Sequence, residues 1–111
     1  MNALELIAYF VAGLFLANSV PHFTNGVSGR RFQSPFASPP GVGESRPLVN
    51  VLWGLFNFAV GYVLVNTIGS YEGGMSSDAL ALFAGMLAAG AGLAWHFGRV
   101  QRAKAKKPRR R

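Results

Sequence analysis

Three apolar runs with almost no charge divide the chain: residues 3–23, 48–68 and 79–97. A helix that crosses the hydrocarbon of a bilayer needs about 20 such residues, and each run meets that length. The first holds a single charge, Glu5, at its start, and the others hold none. A helix on a soluble core keeps a polar face, yet "ALALFAGMLAAGAGLAW" in the third run is apolar on every side. The pattern predicts an all-α, polytopic membrane protein: one domain, with three transmembrane helices in a small bundle.

Local signals mark the ends. Asn2 and Glu5 have the spacing of a capping box. Ser45 ahead of Pro47 marks a second helix start, and Ser77-Asp78 a third. "GSYEGGMSSD" is a short turn-rich connection. A cleaved signal peptide is the alternative for the first run, because "ANS" resembles a cleavage site. Its leading residues lack Lys and Arg and hold Glu5, which argues against cleavage.

Charge sets an orientation. Eight of the eleven Lys and Arg lie in the tail 99–111, and the other three, Arg30, Arg31 and Arg46, lie in the loop 24–46. The connection 69–78 has no basic residue and two acids, Glu72 and Asp78. Basic residues stay on the cytoplasmic side, so N-out/C-in is expected, in the cell membrane and most simply a bacterial inner membrane. Trp53 and Trp95 then fall toward the cytoplasmic ends of their helices, where an interfacial aromatic belt belongs. The basic tail lacks the aromatics and motif of a nucleic-acid arm. It is expected to lie on anionic headgroups, with no nucleic-acid partner.

Helices in lipid associate through small and polar residues. Asn50, Gly54, Asn57 and Gly61 recur at steps of four, three and four on the second run. Gly85, Ala89, Gly92 and His96 repeat those steps on the third, and Gly13 with Ala17 forms a pair on the first. These faces are expected to pack together, so bulk at Gly54 or Gly92 should force backbones apart. Asn57 lies near the middle of its run, where an unpaired amide costs several kcal/mol.

A second polar layer lies toward the loop. At about 1.5 Å rise per residue, Asn18, His22, Asn50 and His96 share a depth on the cytoplasmic side. The loop above them reads as turn-rich and without helix, yet it carries Phe32 and Phe36, which a free linker does not need. It is expected to fold over His22, Asn50 and His96, with Arg30 and Arg31 at the headgroup plane and a ligand, if any, of negative charge. Two His on separate helices can hold a haem, but so small a bundle lacks room for one. Without Cys a zinc site is weaker still. No cofactor and no metal are expected.

In outline the layout resembles class I phage holins: this length, three spans, N-out/C-in and a basic tail. That resemblance implies a pore former, though the long Phe- and Pro-rich first loop departs from the pattern. Small multidrug transporters have a similar length but four spans and a membrane-embedded acid. No nucleophile with its base and no carboxylate pair is present, so no catalytic residue is expected. The residues favour a non-catalytic accessory, assembly or interaction subunit, whose partners are lipids, further copies or another membrane protein. A small carrier or membrane enzyme using the His22/Asn50/His96 layer is the other alternative.

Overall fold

The computed structural model describes residues 2–106 and contains three helices: α1 (Ala3–Val27), α2 (Pro47–Thr67) and α3 (Ser77–Ala105). A two-residue antiparallel ladder, β1 (Phe32–Gln33) with β2 (Glu44–Ser45), lies between α1 and α2. Each helix is long and apolar enough to cross a membrane. The Asn2 side chain accepts the Glu5 amide at 2.8 Å, as the spacing predicts. α3 is capped by Ser76, one residue before the expected Ser77, through the Ala79 amide. α2 begins at Pro47 with no side-chain cap, because Ser45 belongs to the ladder and hydrogen-bonds Ser34 instead.

Two helices run past their apolar stretches. α1 continues four residues beyond 23, so the opening of the loop is helical rather than irregular. The helix stops where Gly29 enters the left-handed region at φ 75°. α3 continues to Ala105, so residues 99–105 of the basic tail are helix. Positions 107–111 of that tail lie outside the described residues. At about 1.5 Å per residue, the 29 residues of α3 extend beyond a hydrocarbon layer of ~30 Å.

The expected mutual packing of three faces is corrected to a central helix with two flanking ones. α1 packs against both α2 and α3, while α2 and α3 make almost no direct contact. Along α2, the four residues picked out by the sequence, Asn50, Gly54, Asn57 and Gly61, are the buried ones. A Cβ on Gly54 would sit 2.7 Å from the Phe23 amide nitrogen, and one on Gly61 would strike the Leu16 side chain at 2.6 Å. Gly26 completes the seam against Pro47 and Val51. These partners make α1 and α2 antiparallel.

α3 runs parallel to α1 and meets it closely at one crossing. There Gly13 faces Gly85, and a Cβ on either would collide with a carbonyl oxygen across the interface, that of Leu82 or of Phe10. Beyond the crossing the helices part. Ala17 and Ala89 are half-buried, and Gly92 is exposed with open space where a Cβ would go. Within the molecule Gly92 therefore packs against no other helix. Loop residues bear on α3 at that end, with Phe32 against Phe97 and Gly41 against His96, and an open groove is left between the helices.

Candidate functional site

Asn50 organises the loop. Its side-chain nitrogen lies 3.1–3.3 Å from the carbonyl oxygens of Phe32, Ser45 and Arg46. An amide NH2 has only donors to offer, so the other end of Asn50 is the oxygen. That oxygen lies 3.0 Å from Nδ1 of the buried His22. Nδ1 must therefore carry the proton, and Nε2 of the neutral ring is left as an acceptor. One amide thus joins α1, α2 and both strands.

α3 closes the other side. His96 Nε2 donates to the Gly41 carbonyl at 2.7 Å, which leaves its Nδ1 as an acceptor in the neutral ring. Further along α3, Gln101 donates to the Gln33 side chain at 3.2 Å, and Lys104 pairs with Glu44 at 3.3 Å. Within the loop, the Ser34 amide donates to the Gly43 carbonyl, the Gly41 amide to Ser34, and the Gly43 amide to Pro39. The segment is a folded cap with Gln33 and Ser34 fully buried.

Under the cap lies a partly open chamber of about 180 Å³, bordered by Asn18 and His22 of α1, Trp53 of α2, His96 and Phe97 of α3, and Gln33, Ser34, Pro35 and Gly41 of the cap. Aromatic rings shape it. Phe97 packs edge-on against His22 at 6.0 Å, His96 at 5.2 Å and Phe32 at 4.7 Å. Trp53 stands edge-on to His22 at 6.3 Å, and its indole N–H is buried without a partner among the described residues.

His22, Asn50 and His96 thus meet under the loop. Arg30, Arg31 and Arg46 do not join them: all three are exposed, and Arg30 donates to Asn25 at 3.0 Å. No cation lines the chamber, so the structure gives no reason for an anionic ligand inside it. Asn18 belongs to both layers. It borders the chamber, and it donates to the Asn57 oxygen at 3.0 Å, while Asn57 donates to the Trp53 carbonyl at 2.8 Å. The sequence separates Asn18 from Asn57 in depth because it ends the first helix too early. Extending α1 to residue 27 moves its centre two residues toward the loop and closes part of that gap, and the side-chain hydrogen bond spans the rest.

Among the described residues, no three His, Asp or Glu side chains gather as a metal site would require. Gln33, Ser34, Gly41, Trp53 and Phe97 are chamber residues that the sequence does not single out for a site. Trp53 carries a signal only as one of the two indoles placed toward the helix ends. Comparison with known proteins finds no matching family, no matching curated protein and no matching solved structure.

Proposed function

We propose that the chain is a small, non-catalytic, multi-pass membrane protein that acts by association, as an accessory or assembly subunit with N-out/C-in topology. The observation that carries this reading is how little of the helices the chain covers for itself. Only 6% of the most apolar window of α3 is buried within the molecule, and Leu80, Phe83, Leu87 and Trp95 are exposed along it. Apolar surface on this scale needs lipid or neighbouring helices around it. The folded cap supplies the second element, a fixed platform from which Arg30, Arg31 and Arg46 reach anionic headgroups.

Pore formation of the holin kind finds less support. The interior amides Asn18, Asn50 and Asn57 are engaged with one another's helices and with the cap. The chamber favours the remaining alternative, a ligand-binding role for the polar layer.

Native mass spectrometry of the full chain, released from mild detergent, tests the association reading. Retained phosphatidylglycerol or a discrete oligomer is expected. Replacing Arg30, Arg31 and Arg46 together with Gln should reduce retained anionic lipid and leave the thermal transition unchanged. A bare monomer, or lipid retention indifferent to the three arginines, would overturn it. Reporter fusions after Arg46, after Met75 and at the C-terminus should read inside, outside and inside.

A further inference from the structure

A separate open pocket of about 330 Å³ lies between the cap and the last turns of α3. Val42 borders it from the cap, and His96, Arg99, Val100, Ala103 and Lys104 border it from α3. Those five positions recur at steps of three and four, so they share one side of the helix. Val42, Val100 and Ala103 supply apolar surface, Arg99 and Lys104 supply two cations, and no carboxylate lines the pocket. His96 is already committed through Nε2 to the Gly41 carbonyl.

The two cations are held differently. Lys104 pairs with Glu44 of β2 at 3.3 Å. Arg99 is exposed and has no ion pair among the described residues, and its guanidinium lies 4.9 Å from the centre of the Trp95 ring. An indole near a helix end sits at the level of the lipid headgroups, so this cation–π contact holds the guanidinium at the depth of their phosphates. Charge at this end is also unbalanced. Arg99, Arg102, Lys104 and Lys106 face a single side-chain carboxylate, Glu44, because Glu5, Glu72 and Asp78 lie at the opposite ends of α1 and α3. The partner that these residues lack is an anion from outside the chain. A guanidinium fork matches two oxygens of a phosphate, and an ammonium adds a point charge beside it.

We propose that this pocket is a phosphate site, in which Arg99 and Lys104 hold a phosphate group and Glu44 competes with that group for Lys104. The phosphate is that of an anionic lipid headgroup or a free one. The site rests on the reading that the chain is inserted in a membrane, and not on the platform of Arg30, Arg31 and Arg46, none of which borders the pocket.

The competition makes the site testable by gain as well as loss. Glu44→Gln removes the charge that occupies Lys104 and keeps a side-chain oxygen for the Gln33 amide, which lies 3.4 Å away in the parent. The full chain in mild detergent is titrated with phosphatidylglycerol, and the lipid-bound species are resolved by native mass spectrometry. A saturable first binding event is expected. Arg99→Gln should weaken it about fivefold, equivalent to about 1 kcal/mol, and Glu44→Gln should tighten it about two- to fivefold. Arg99 and Glu44 are both exposed, so each variant should melt like the parent. Replacing Arg30, Arg31 and Arg46 with Gln should lower the total lipid carried and leave this first event unchanged. Failure of the platform is thereby told apart from failure of the pocket. Inorganic phosphate added at the lipid's concentration assigns the source: displacement marks a site for free phosphate, and retention marks one for a headgroup. Equal binding of phosphatidylcholine, indifference to Arg99→Gln, or a Glu44→Gln variant that fails to tighten the event would overturn the proposal.

Discussion

The two sides of α1 use the same vocabulary of small residues and reach different ends. Toward α2, glycines at 26, 54 and 61 let the backbones touch along the seam, and an Asn18–Asn57 hydrogen bond crosses it. Toward α3, one glycine pair at 13 and 85 makes the close approach, after which the helices separate around a groove. The difference teaches that a small-residue stripe permits close packing without requiring it. What decides is the material at the ends. α2 follows directly on the cap and is tied to it through Asn50, whereas cap residues stand against α3 at Phe97 and His96 and leave room beside them.

The largest effect should come from the crossing. Gly85→Leu drives a side chain into the Phe10 carbonyl, where no flexible group can give way, and should cost about 3 kcal/mol. Thermal unfolding in detergent measures it. If the variant unfolds like the parent, α1 and α3 do not cross there. Asn50→Leu comes next. It orphans the His22 N–H and carbonyls of both strands, with an expected loss of about 2–3 kcal/mol and cap cleavage by protease well before the helices melt. Asn57→Leu should cost about 0.5–2 kcal/mol, the range of a polar contact between membrane helices. A larger loss would mean that Asn18 has no other partner within reach.

The last two variants sharpen the contrast from the weak side. Lys104→Ala removes an ion pair whose members are 34% and 37% exposed, and should change stability by about 0–1 kcal/mol, less in high salt. Gly92→Leu, which would be severe if the third stripe packed like the second, should stay within about 0.5 kcal/mol of the parent. Matching melting curves for Gly92→Leu and Gly54→Leu would contradict the asymmetry.

Much of this was legible in the residues. An Asn or Gly repeated at steps of four, three and four stands out in a run that is otherwise Leu, Val and Phe, and on α2 those four positions are the buried face. The meeting of His22, Asn50 and His96 is expected from their shared depth, the helix directions and the phenylalanines of the loop, and all three lie at the cap. Three features were hidden. The ends of α1 and α3 lie in polar sequence, "TNGV" and "RVQRAKA", because hydropathy reports where oil would end and not where helix does. The cap has no periodicity to read: its order comes from backbone groups held by an Asn on a later helix and by Gln101 and Lys104 far along the chain. Gly92 repeats the α3 pattern and misleads, since nothing local reveals that cap residues bear on α3 beyond it.

The central claim is that residues 32–45 form a folded cap held by α2 and α3. Backbone hydrogen exchange of the full chain in lipid nanodiscs tests it most directly. The amides of Ser34, Gly41 and Gly43 donate within the cap, while Gly73 and Gly74 lie exposed in the other connection. The account predicts that the three cap amides exchange at least about a hundredfold more slowly than those two glycines, and that Asn50→Leu abolishes the difference. Equal, rapid exchange at all five positions in the parent chain would show the segment to be an untethered linker and would leave the chamber without a roof.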